Sequence, residues 1–159
     1  MTAGRPVVGA LVVDGLGRVF VQRRSPDRRL FPGCWDVVGG HVEDGERPLA
    51  ALRREIEEET GWRLRRVLGL LSVRDWEADG LTHTEHDYLV EVDGDLAAPR
   101  LEPGKHTRGA WLGPGDLGLL DENLRLSGPF VPDLVRAAHT WLDRHRTPGP
   151  ARTGSGAPP

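Results

Sequence analysis

An α/β fold, a mixed sheet covered by helices, is predicted by three observations. Apolar runs of strand length fill the first forty residues, broken by turn signals. One amphipathic helical stretch follows them and a second closes the patterned region, with two further strand-like runs between. The chain has 159 residues, 38% of them hydrophobic and 28% charged, which suits one domain with its own core.

Residues 7–13 form an apolar run read as a buried strand; it is too short to span a bilayer and lacks the layout of a signal peptide. Asp-Gly-Leu-Gly at 14–17 is a hairpin turn signal. Residues 18–24 alternate, Val19 and Val21 on one face, Phe20 and Gln22 on the other, so a second strand is expected. Residues 25–33, with Pro26 and Pro32, read as a polar loop, and 35–38 as a short strand ending at Gly39 and Gly40. Pro48 suits the first turn of a helix, Leu49, Leu52 and Ile56 recur at helical spacing toward a core, and Gly61 is a fitting stop. Residues 64–76 and 81–92 are further strands, 101–109 a loop, 110–112 a short strand and 114–120 a short helix. Residues 130–145 form an amphipathic helix on Val131, Leu134, Val135, Ala138 and Leu142. The domain is therefore expected to span 1–146, and 147–159, rich in Pro, Gly, Ala, Ser and Thr, to be a disordered tail.

A net charge of −3 gives no support for electrostatic binding of nucleic acid. Cys34 is the only cysteine, so there is no intrachain disulfide and no cysteine-rich metal site, and a reducing cytosol is the natural compartment.

The first helix poses a problem of local energetics. Glu55, Glu57, Glu58 and Glu59 fall within five residues. Like charges three or four residues apart cost roughly 0.2–0.5 kcal/mol per pair on a helix. Charge alone reads as a solvated acidic face, offset by Arg53, Arg54 and Arg63. Helical spacing, however, puts Glu55, Glu58 and Glu59 on one face and Glu57 elsewhere. Three carboxylates on one turn make a site for a hard cation such as Mg²⁺ or Mn²⁺.

From Gly40 to Trp62 the chain reads G-x5-E-x7-R-E-U-x-E-E-x-G-U, U being bulky and apolar, with Glu46, Arg54, Glu55, Ile56, Glu58, Glu59 and Gly61 in the fixed positions. This 23-residue match resembles the signature of the Nudix hydrolases, MutT-like members included, and the flanking FPGCWDVVGGHVEDGE and GAWL look like the usual surroundings. The resemblance implies a helix–sheet–helix sandwich and metal-dependent hydrolysis of a pyrophosphate bond in a nucleoside diphosphate linked to another moiety. It implies that Glu58 and Glu59 bind the metal, that Glu55 is a ligand or the general base, and that Arg54 orients them. The Gly40 carbonyl is implied to lie near the metal, and Glu46 to support the loop or hold a metal-bound water, although Glu46 also reads as a plain helix-start residue. The general base stays open among Glu55, Glu85, Glu102 and His106, because the place for a further family glutamate before Trp111 holds His106.

The resemblance implies that an arginine at the end of the second strand contacts phosphate, for which its planar fork is apt; parity with Val19 and Val21 favours Arg23 over Arg24. Trp35 and His86 are further substrate-side candidates, and Trp76 could stack on a base. His83, Glu85 and Asp87 share one strand face opposite His86 and Tyr88. Marks of the ADP-ribose, diadenosine polyphosphate, coenzyme A and reduced dinucleotide subgroups are missing. By elimination the expected substrate is a nucleoside triphosphate or oxidised nucleotide, giving monophosphate and pyrophosphate, with nucleotide sugars and dinucleotides as alternatives. Isopentenyl diphosphate isomerase is disfavoured, since no cysteine stands beside Gly40-His41, and a ligand-sensing domain is disfavoured because the signature is complete. The expected partner is a small nucleotide-type substrate, with no membrane and no nucleic acid; dimers are common in the family, so a homodimer is compatible with it.

Overall fold

The computed structural model describes residues 2–146, so the expected tail at 147–159 lies outside the described residues. The elements are β1 (Thr2–Ala3), β2 (Val7–Val12), β3 (Val19–Arg24), β4 (Trp35–Asp36), β5 (Val38–His41), α1 (Pro48–Thr60), β6 (Arg63–Ala78), β7 (Leu81–Asp93), β8 (His106–Leu112), a 3₁₀ helix (Leu117–Asn123) and α2 (Phe130–Arg144).

The strands make two sheets. In the larger, β7 pairs antiparallel with β6 on one edge and parallel with β1 and then β2 on the other, and β5 pairs antiparallel with β2. This is the mixed sheet expected from the sequence. The smaller sheet has the order β4-β3-β8. The expected β2–β3 hairpin survives only at its tip, where Asp14 N–H donates to the Arg18 carbonyl and Val13 bridges Val19. Beyond it the two strands part into different sheets. The expected strand at 35–38 likewise splits at Val37, β4 joining β3 and β5 joining β2. The expected loop at 101–109 is half strand, because residues from His106 onward pair with β3.

β2 is buried on both faces, which explains its unbroken apolar run. Val8, Ala10 and Val12 face a core with Ala51, Leu52 and Ile56 of α1, while Leu11 faces Leu134, Val135 and Ala138 of α2. The two helices therefore cover opposite sides of the sheets. Trp62, Phe20 and Trp111 close the α1 core with ring centroids 4.9 to 5.6 Å apart. Gly109 leaves space for the Phe20 ring, which a Cβ there would strike. Leu49, expected to face the core, is half exposed, since the buried stripe of α1 begins at Ala51.

α1 starts on Pro48 and stops at Gly61, whose left-handed backbone (φ 75°) only glycine adopts without strain, its N–H donating to the Glu57 carbonyl. With Leu52 and Ile56 fixed inward, the Glu55–Glu59 turn is pinned against β5.

Candidate active site

Glu59 anchors the site. Its side chain is almost wholly buried, Oε1 accepting from Gly39 N–H at 2.9 Å and Oε2 from Gln22 Nε2 at 2.6 Å. Burial pushes its pKa well above the usual carboxylate range, with the Glu55 and Asp36 charges adding to the shift. A buried anion so disfavoured is a natural partner for a cation. Sequence reasoning missed Gln22; its alternation with Phe20 on the α1 face of β3 is the available signal.

Arg54 ties the other carboxylates together. Its Nε and one terminal nitrogen donate to the two Glu46 oxygens at 2.9 and 3.0 Å. That terminal nitrogen also donates to the His41 carbonyl at 3.0 Å, and the other donates to Glu55 at 2.8 Å and Glu58 at 3.2 Å. Such charge-assisted forks fix geometry better than a single ammonium could. The contact holds the Glu46 carboxyl down at about 2. Glu46 is thus a partner of Arg54 and of the Glu43 N–H, not a free charge at the helix start. Burial raises Glu55, against the opposing pull of Arg54. Gly40 lies so close to the Glu55 carboxylate that any Cβ would collide with it.

Glu55, Glu58 and Glu59 thus offer oxygens only, the donor set that hard divalent cations take. Among the described residues they do not already form a closed metal-ligating cluster, since Arg54 stands between Glu55 and Glu58. The chemistry of the set nevertheless fits such a cation.

The acidic cleft is bordered by Arg5, Arg24, Arg28 and Lys105, cations apt for phosphate oxygens. His106 also lines it, with Nδ1 3.5 Å from Glu59 Oε2 and no hydrogen-bond partner. Burial, with Arg24, Arg28 and Lys105 nearby, lowers His106 to about 4, so it is neutral at pH 7. Glu102 borders the cleft too, ion-paired with Lys105 at 2.8 Å. Glu85 does not; it lines the adjoining pocket.

That second pocket is walled by Leu30, Phe31, Trp35, Trp76 and Phe130, and meets the acidic cleft along Asp36, Gly39, Gly40 and His41. Trp35 fits the expectation of a substrate-side residue only by lining this wall; its body is core, its backbone bridged to Asn123 at 2.8 and 2.7 Å. Arg23 turns away. It donates to the Gly33 carbonyl and pairs with Glu122 at 3.4 Å, on the α2 face with Val19 and Val21, whereas Arg24 lines both pockets. The parity holds but the expected choice of face does not, because Gln22 and Arg24 share the face toward α1. His86 lines neither pocket, alternation placing it on the face of β7 opposite Glu85.

A carboxylate turn on a helix, cations for phosphate and an adjoining aromatic pocket together define a hydrolase of phosphoric anhydrides. The profile of the NUDIX domain matches residues 4–134, and the chain belongs to the Nudix hydrolase family, whose members generally use divalent metal ions. An uncharacterised Nudix hydrolase of Nostoc sp. is 34% identical over 135 residues, 82% of this chain and 75% of the relative. The nucleoside triphosphatase NudI of Escherichia coli is 34% identical over 143 residues, 78% of this chain and 96% of its own. A MutT NUDIX hydrolase from Burkholderia pseudomallei superposes with a TM-score of 0.61 at 31% identity, covering 77% of this chain and 97% of that one. The MutT protein of Methanosarcina mazei, at 20% identity and a TM-score of 0.70, shares the fold. Among the described residues no helix is long and apolar enough to cross a membrane.

Proposed function

We propose that this protein hydrolyses nucleoside triphosphates to the monophosphate and pyrophosphate with Mg²⁺, or Mn²⁺ in its place, held by Glu55, Glu58 and Glu59 beside Gly40. The observation that carries the proposal is the continuity of two chemically different halves: an oxygen-rich, arginine-organised cleft opening into an aromatic pocket. One half suits a polyphosphate, the other a base. When bound, the cation supplies Lewis acidity and lowers the pKa of an attacking water. The chain's own residues do the rest. Glu59 is held by Gln22 and Gly39. Arg54 keeps Glu55 and Glu58 in register. Arg24 and Arg28 receive phosphate oxygens where the halves meet. Glu55 and the neutral His106, both lining the cleft, are the candidates for accepting the water's proton. The triphosphatase NudI among the relatives supports the substrate class.

The test is product analysis after incubation with Mg²⁺ and a panel of nucleoside triphosphates, nucleotide sugars and dinucleotides. Monophosphate and pyrophosphate from a triphosphate is the expected outcome. Turnover confined to sugars or dinucleotides would replace the substrate class and leave the anhydride chemistry standing.

A further inference from the structure

The loop between β3 and β4 holds one residue in a backbone conformation that its type disfavours. Phe31 has φ 49°, in the left-handed region. A bulky side chain clashes there, and the following Pro32 pushes its predecessor toward extended backbone instead. Among the described residues one other non-glycine residue has positive φ, Asp79. It stands in the two-residue Asp79-Gly80 turn between β6 and β7, where that conformation is ordinary. No such turn explains Phe31. It precedes the Pro32-Gly33 turn, which Cys34 N–H closes on the Phe31 carbonyl at 3.3 Å, and Gly33 already supplies the positive φ that this turn needs.

Strain of this kind persists only where the surroundings fix it. Three arginines do so. Arg24 Nε donates to the Leu30 carbonyl and Arg23 Nε to the Gly33 carbonyl, each at 3.0 Å, so the chain is held on both sides of Phe31. Arg29 ties the loop to the β6–β7 tip, its two terminal nitrogens donating to the two Asp79 oxygens at 2.6 Å. Core burial does not repay the strain, because Phe31 is 37% exposed and belongs to neither apolar core. Phe31 instead lines the aromatic pocket with Trp76 and Phe130. Arg28, three residues earlier, lines both that pocket and the acidic cleft. One braced loop thus serves both halves of the site, with a cation for phosphate and a ring for what the phosphate carries.

We propose that Phe31 is the stacking platform for the nucleobase, held at the pocket by Arg23, Arg24 and Arg29. This inference rests on the nucleotide reading above and names the residue that grips the base and the manner of its grip. An exposed ring in a pocket wall offers a π-face, and every base presents one in return. Such recognition tolerates base identity, so purine and pyrimidine nucleotides both gain from it. It also accounts for the residue type. Glycine would relieve the backbone at this position and lose the ring, whereas phenylalanine keeps the ring against the preference of the backbone.

The experiment is calorimetric titration, in Mg²⁺, with the α,β-methylene analogues of GTP and UTP, which resist cleavage, and with inorganic tripolyphosphate, which has no base. Phe31→Gly and Phe31→Ala both remove the ring, and each is expected to weaken both nucleotides by about tenfold or more while tripolyphosphate stays within about twofold of the wild type. Phe31→Tyr, which keeps the π-face, is expected to hold all three affinities within about threefold. In urea unfolding, Phe31→Gly should have the higher midpoint of the two truncations, since only glycine adopts the left-handed backbone freely. Unchanged nucleotide affinity in the truncations, an equal loss for tripolyphosphate, or a midpoint for Phe31→Ala as high as that of Phe31→Gly overturns the inference. Nucleotide affinity lost in Phe31→Gly, from a protein that turns over no triphosphate, would overturn the hydrolysis reading alone. Turnover with nucleotide affinity unmoved by Phe31→Gly would overturn this inference alone.

Discussion

Asp87→Asn makes a stability prediction that can be worked from the structure. Burial first, then the Glu85 charge and their mutual contact, push the Asp87 pKa up to about 9, against an ordinary value of 3.8. Between those values the folded protein holds a proton that the unfolded chain releases. Stability from this group is therefore fully present below the unfolded pKa and is lost as pH rises toward the folded one. One proton corresponds to about 1.4 kcal/mol per pH unit, so between pH 6.5 and 8.5 the wild type should lose about 2–3 kcal/mol through Asp87. The amide introduced by Asp87→Asn cannot titrate, so the variant lacks that slope. Glu59, also raised by burial but not among the groups that act on Asp87, contributes equally to both proteins and cancels in the difference. His106, lowered to about 4, titrates between the two states below this window. Urea unfolding at pH 6.5, 7.5 and 8.5 measures the effect: the variant should gain on the wild type by about 1 kcal/mol per pH unit with unchanged m. Parallel stability curves would show that Asp87 is ionised in the native protein and refute its raised pKa.

Three further outcomes follow from the same geometry. Arg54→Lys removes the fork that reaches Glu46, Glu55, Glu58 and the His41 carbonyl; steady-state turnover should fall by about 100-fold with the fold intact by circular dichroism, since small misplacements of reacting groups cost that much. Gly40→Ala drives a methyl into the Glu55 carboxylate, so kcat should drop at least about tenfold while Tm changes little; a wild-type rate would show that this close approach does not matter. Leu52→Ala empties a wholly buried site under α1 and should cost about 2–5 kcal/mol in urea unfolding, and a loss below about 1 kcal/mol would mean the α1 core is loosely packed.

What the sequence discloses and what it hides follow a physical line. α1 is readable because its signals are local: Pro48 at the start, Gly61 at the stop, and an apolar stripe beside a carboxylate stripe. The grouping of Glu55, Glu58 and Glu59 on one face needs only helical spacing. The partition into two sheets depends on long-range partners, and the tight turn at Asp14 gives no sign that β2 and β3 separate after it. Arg23 and Arg24 show the same limit, since alternation tells which residues share a face but not which face meets α1. His106 is readable as a candidate near Trp111, yet its contact with Glu59 comes from β8 pairing with β3 at Arg24. Gln22 looks like an ordinary strand residue, and only the packing of β3 under α1 makes it the partner of Glu59. Glu85 and Asp87 are legible as sharing a face, but the raised pKa of Asp87 is not, because it depends first on burial.

The central claim is that the α1 carboxylates hold the catalytic cation. Mn²⁺ binding followed by electron paramagnetic resonance, alongside pyrophosphate release, tests it most directly. In the wild type, binding and turnover should rise together over the same Mn²⁺ range and vanish together in excess chelator. In Glu58→Gln and Glu59→Gln, each still folded, Mn²⁺ affinity should weaken and turnover fall by about two or more orders of magnitude, a loss on the scale of removing one transition-state charge contact. Wild-type affinity and rate in both variants, or full turnover in chelator, would contradict the assignment and move the chemistry away from α1.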